Sequence, residues 1–219
     1  MIVQWPCPGG DEFAVAIDRG RRFRLLIVPP LFAEMNRTRR WLNGTMRALD
    51  LRGIDSVMPD LPGTNESQQP FAAQSLHAWR TAMARAARHF DSTHVLALRG
   101  GALVFPNVLP GWVVDPVSGS TLLRQLLRAR LIAAREAGRH EDSANLLELA
   151  RSDGIELAGY DCSPALIAGL DSARPLDEGQ REIRLGELGG APLWLRAEPG
   201  DDPAQAERLA TLIAAEIAA

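Results

Sequence analysis

The sequence predicts an α/β fold, a mostly parallel central sheet with helices on both faces, and three observations carry that expectation. Short runs such as FRLLIVPP (23–30) and HVLAL (94–98) are apolar almost throughout, the pattern of strands buried on both sides. Longer stretches such as SLHAWRTAMARAARHF (75–90) place their apolar residues at helical spacing. The two kinds alternate along the chain, which calls for parallel strands joined by helical crossovers. With 219 residues, 46% of them hydrophobic and 23% charged, the chain is long enough for one substantial core, so a single domain is expected over 1–219.

EFAVAID (12–18) alternates as an early strand, RGRR (19–22) turns the chain, and Pro29–Pro30 ends the buried strand that follows. EMNRTRRWLNGTMRALDLRG (34–53) sets Met35, Trp41, Leu42, Met46 and Leu49 on one helical face, with Gly53 as its stop. IDSVMPD (54–60) is a short strand and LPGTNESQQP (61–70) a loop by its turn chemistry; the helix over 75–90 then carries Leu76, Trp79, Met83, Ala86, Ala87 and Phe90 inward. THVLALRGGALVF (93–105) reads as strand, tight turn and brief helix, cut short by Pro106. WVVDPV (112–117) is a strand and TLLRQLLRARLIAAREAG (121–138) a long amphipathic helix. A polar, partly helical excursion is expected around 139–153, on the surface rather than in the core. IELAGYDC (155–162) reads as one strand, and SPALIAGLDSA (163–173) as a helix capped by Ser163 with Pro164 in its first position. REIRLGEL (181–188) and APLWLRAEP (191–199) read as two more strands, and Asp202–Pro203 opens a closing helix.

All 24 basic residues are arginines, without one lysine. A Walker A phosphate loop and a pyridoxal Schiff base both need lysine, so both chemistries are excluded, and no cofactor is expected. The net charge of −3 argues against a nucleic-acid partner. Cys7 and Cys162 lie far apart with no CxxC or Cys/His spacing, so they are expected as buried thiols and no metal site is expected. MIVQWPCPGGDEF (1–13) has no charged leader before an apolar run, and no later apolar stretch reaches about 18 residues. The expectation is a cytoplasmic chain without membrane insertion. Its apolar helix faces suit either a core or an interface, which leaves a homo-oligomer open.

In a sheet of this kind ligands bind beyond the carboxyl ends of the strands. The residues there are Phe32 to Arg37, Asp60 to Thr64, Arg99 to Gly101, Asp115 to Ser120, Tyr160 and Asp161, and Glu198 to Asp202. ALRGG (97–101) matches the G-x-S-x-G nucleophile elbow of the α/β-hydrolases, with small Ala97 and Gly101 at its flanks and Arg99 where the serine would stand. LLIVPPLFAEMNRTRRWLNGTMRAL (25–49), PDLPGTNES (59–67), ALRGGAL (97–103), VVDPVSGSTLLRQLLRARL (113–131) and LAGYDCSPAL (157–166) together resemble the α/β-hydrolase-like proteins encoded beside exosortase A systems, the group known there as the second hydrolase. The resemblance runs from about residue 12 to the end. It implies the α/β-hydrolase fold, an elbow arginine between small residues, and a setting in which surface polymers and protein sorting are handled. Residues 59–67 lack the glycine-cysteine-glycine run common in that group.

A serine hydrolase needs a nucleophile, a base, a carboxylate to orient the base, and donors for the oxyanion, in the chain order Ser, Asp or Glu, His. The histidines are His77, His89, His94 and His140, and none follows the last expected strand. A guanidinium stays protonated and cannot attack a carbonyl. Ser118 and Asp115 stand as catalytic candidates, although a serine there more often caps the next helix. Arg99 has two readings: a fork of donors for an anion beside a helix start, or an ion pair with Glu34, Asp115 or Asp161, which is favoured. The ligand-binding candidates are Arg99, Gly100, Glu34, Asn36, Arg37, Asp115 and Ser118, for a small anionic or acyl ligand; Arg39 and Arg40 read as a solvated face. The expected function is that of a catalytically degenerate hydrolase fold serving as a binding or accessory protein. The alternative is an active hydrolase or acyltransferase with a non-standard site.

Overall fold

The computed structural model describes residues 1–175 and 179–218. Among the described residues seven strands make the main sheet: β1 (Ile2–Cys7), β2 (Gly10–Ile17), β3 (Arg24–Val28), β4 (Asp55–Pro59), β5 (His94–Leu98), β6 (Gly111–Val114) and β9 (Gln180–Ile183). They lie in the order β1-β2-β4-β3-β5-β6-β9, and β2, antiparallel to both its neighbours, is the one reversed strand. A separate two-stranded hairpin holds β7 (Ile155–Leu157) and β8 (Tyr160–Cys162). The helices are α1 (Ala33–Leu51), α2 (Leu76–His89), α3 (Gly119–Glu136), α4 (Ser143–Ser152), α5 (Pro164–Ser172), the short α6 (Leu185–Leu188) and α7 (Pro203–Ile217).

Side chains on successive residues of a strand leave opposite faces, and here both faces are covered. Leu25 and Ile27 of β3 and Leu96 and Leu98 of β5 pack under α1 and α7, against Trp41, Leu42, Met46, Leu209 and Ile213. Leu26, Val28, Val95 and Ala97 face the other way, into a larger core with Trp79 and Met83 of α2, Leu123 of α3 and Leu166 of α5. The continuous apolar runs of β3 and β5 follow from this double burial. Ser163 and Asp202 cap α5 and α7 through their side chains, each with a proline in the first turn, as expected.

β1, a strand not anticipated above, pairs with β2 as a hairpin; as an edge strand it tolerates the missing N–H of Pro6. Four expectations are corrected. Residues 155–162 form a hairpin, not one strand, since Ala158 and Gly159 take φ of 51° and 83° and reverse the chain. REIRLGEL divides into β9 and α6, and APLWLRAEP holds only a 3₁₀ turn at Leu193–Leu195. Adjacent Leu193 and Trp194 are both buried there, one in the α1–α7 core and the other over Arg99. The tract 139–153 is partly helical as expected, yet α4 sends Leu146 and Ala150 into the main core, so it is not merely a surface excursion. Cys7 and Cys162 are buried free thiols, each with its pKa pushed up to about 12, chiefly by burial. Among the described residues, no helix is long and apolar enough to cross a membrane.

Candidate functional site

Three adjacent strands end in a non-glycine residue with positive φ: Phe32 (60°) beyond β3, Arg99 (51°) after β5 and Asp115 (40°) after β6. Such backbone costs about 1–3 kcal/mol per residue and is kept where the surroundings dictate it. At the elbow they do. A Cβ on Gly101 would come within 2.5 Å of the Pro29 carbonyl oxygen and 2.7 Å of that of Val28, so this position closes only with glycine, while one on Gly100 would press on the Leu122 side chain. The chain then enters a short 3₁₀ helix over Arg99–Val104.

The Arg99 side chain is turned onto protein groups. Its Nε and Nη2 donate to the two carboxylate oxygens of Glu34 at 3.1 and 3.3 Å, and its Nη1 donates to the backbone carbonyl oxygen of Asp115 at 3.0 Å. The indole of Trp194 lies 5.0 Å from the guanidinium carbon, a cation–π contact. Glu34 and Arg99 are mostly buried, their side chains 8% and 13% exposed. Glu34 thus supplies the ion pair, while Asp115 meets Arg99 only through its carbonyl. The Asp115 carboxylate instead accepts the Leu185 N–H at 3.1 Å and ties β6 to the end of β9. Asp161 is exposed on β8 and makes no ion pair with Arg99.

Ser118 is the N-cap of α3: its Oγ accepts the Thr121 N–H at 3.3 Å and lies 3.0 and 3.1 Å from the hydroxyls of Thr121 and Ser120. Those neighbours include no imidazole. His94 starts β5, at the far end of that strand, stacked 5.6 Å from Trp112 with its pKa lowered by burial. His77, His89 and His140 are exposed elsewhere. Asn36 is exposed and borders a cavity of about 230 Å³ beside Asn65 and Tyr160.

A cavity of about 320 Å³ lies over the elbow, reached by Glu34 and Arg37 from α1, by α3, by the β7–β8 hairpin and by Trp194. A depression of about 410 Å³ opens at the opposite end of the parallel strands, but its Asp55 already accepts the Arg19 and Arg21 backbone N–H groups. Sequence reasoning missed Trp194 and the aromatic cluster of Phe32, Phe71, Trp79 and Tyr160, whose ring centroids lie 5.2 to 6.4 Å apart. The apolar LWL in a polar stretch was the available signal for the first.

No family model matches the chain. No curated protein matches it. Solved structures similar to it include an α/β serine hydrolase homologue from Coxiella burnetii (16% identity over 53% of this chain and 62% of that one, TM-score 0.43). A serine hydrolase from the polyaromatic hydrocarbon-degrading Cycloclasticus zankles (13%, 54% and 46%, TM-score 0.46) and an epoxide hydrolase from Vigna radiata (18%, 54% and 40%, TM-score 0.45) are also similar. The aligned part spans less than two thirds of each of these proteins. The mostly parallel sheet with helices on both faces, and the tight turn from β5 into a 3₁₀ helix, make an α/β-hydrolase-like fold with Arg99 at the elbow apex.

Proposed function

We propose that this chain is a catalytically degenerate α/β-hydrolase-fold protein that serves as a binding or accessory protein, in the exosortase and surface-polymer setting that its sequence resemblance implies. The observation that carries the reading is the Arg99–Glu34 pair. A permanent cation stands at the apex from which attack on a carbonyl would start, and it is tied by both oxygens of a buried carboxylate. Ser118 is engaged as a helix cap, and among the described residues its side chain meets the hydroxyls of Ser120 and Thr121 and the Thr121 N–H, none of them a base. The ligand expected over the elbow is small and anionic or acyl.

The test is a panel of p-nitrophenyl esters from acetate to dodecanoate, run with the purified protein and its Ser118→Ala and Asp115→Ala variants. The expected result is no turnover above background that either variant abolishes. Saturable turnover lost in Ser118→Ala or Asp115→Ala would overturn the reading in favour of a hydrolase or acyltransferase with a non-standard site.

A further inference from the structure

The cavity over the elbow has apolar walls and one cation without a carboxylate. Leu31 and Leu122, which pack on Gly100, form its floor, and Leu126, Tyr160 and Trp194 stand around it. Of the arginines nearby, Arg99 pairs with Glu34, Arg39 with Asp60 and Arg40 with Asp201. Among the described residues, Arg37 has no such partner within 4.0 Å; its Nη1 donates to the Trp194 carbonyl oxygen at 3.1 Å, which holds the guanidinium at the cavity wall. Glu34 also lines the cavity, but Arg99 neutralises it. Tyr160 adds a neutral hydroxyl: burial raises its pKa, and the Arg37 charge, close enough to be felt, offsets part of that rise. The balance of the lining is therefore one unpaired positive charge beside a phenol and a largely apolar surface. Its volume is at the lower end of the roughly 300–1,000 Å³ typical of small-molecule sites.

We propose that this cavity binds a medium-chain carboxylate, with the head group on Arg37 and the Tyr160 hydroxyl and the tail along Leu122, Leu126 and Trp194. The assignment rests on the binding reading above and names its ligand class. It places the anion on Arg37 and not on Arg99, whose donors already serve Glu34 and Asp115. A charged hydrogen-bonded head group gives the site its selectivity, and burial of the chain gives most of its affinity.

The experiment is calorimetric titration of the full chain with octanoate, 1-octanol and octylamine. Octanoate is expected to bind saturably and at least about tenfold more tightly than octylamine. Arg37→Ala is expected to weaken octanoate roughly tenfold or more, Arg37→Lys to restore part of the loss, and Arg40→Ala to change nothing. Ala129→Phe, on an exposed lining position of α3, should block the site without touching the core. Failure of folded wild-type protein to bind octanoate, equal binding of octanoate and octylamine, or an unchanged affinity in Arg37→Ala would each overturn the assignment. Turnover of p-nitrophenyl octanoate that Ser118→Ala abolishes would overturn the non-catalytic reading instead, and leave a measured octanoate site standing.

Discussion

Glu34 at the carboxyl end of the sheet and Glu12 on the edge hairpin are both withdrawn from water, 6% and 0% exposed. Glu34 meets the Arg99 guanidinium with both oxygens. Glu12 meets only neutral donors: its Oε1 accepts from Ser67 Oγ at 2.7 Å and Gln69 Nε2 at 2.9 Å, and its Oε2 is buried without a partner. Burial raises the Glu12 pKa, an effect the Ser67 and Gln69 hydrogen bonds reduce. Asp60, at the end of β4, is intermediate, with a neutral donor and one long contact to a cation. Burial raises its pKa too, partly offset by a hydrogen bond from Asn65 and by Arg39, whose Nη1 lies 3.4 Å away. The difference is one of partner, not of depth. Burial of a carboxylate is tolerable when a cation matches it, and otherwise the proton becomes the partner.

The largest effect expected from this contrast is at the elbow. Arg99→Ala leaves Glu34 buried and unpaired, and urea denaturation should show a loss of about 3–5 kcal/mol. Replacing both partners by apolar residues, Glu34→Leu with Arg99→Met, should recover much of it, because no charge is then stranded. A loss below about 1 kcal/mol for Arg99→Ala, within the range of exposed pairs, would show that the pair is not structural. Ser118→Ala comes next. Loss of the α3 cap should cost about 1 kcal/mol by the same measurement, with the fold otherwise intact, and an unchanged midpoint would refute the capping role.

The unequal legibility of the two regions has a physical origin. β3 and β5 were readable because burial on both faces removes polar residues from the whole run, and α5 and α7 because Ser163–Pro164 and Asp202–Pro203 are local start signals. The elbow was readable because a closely packed turn admits only small side chains at Gly100 and Gly101. β1 was hidden, since an edge strand that buries chiefly Trp5 and Cys7 and contains Pro6 has little pattern to show. The choice of Glu34 over Asp115 or Asp161 as the partner of Arg99 was not readable either. It depends on which side chain the positive-φ turn at Asp115 aims at Leu185, a distance in space that spacing along the chain does not encode. The contact of Trp194 with Arg99, and Glu12 with the 67–69 loop, are likewise long-range pairings.

The smallest expected effect is also the one that isolates the proton. A carboxyl whose folded pKa is raised favours the folded state fully below its unfolded value, near 4.5 for Glu12, and that contribution is lost as pH rises through the raised folded pKa. Wild-type protein at neutral pH therefore either holds a proton that water would remove or carries an unmatched buried charge. Glu12→Gln keeps an oxygen to accept from Ser67 and Gln69 and has nothing to ionise. Its melting temperature should match the wild type most closely near pH 4 and rise above it progressively toward pH 8, while Glu34→Gln, which weakens a charge pair, should fall below the wild type at pH 8. Parallel pH profiles for Glu12→Gln and wild type would mean that Glu12 is ionised in the fold as readily as in the unfolded chain, and the contrast between the two carboxylates would then lie in geometry alone.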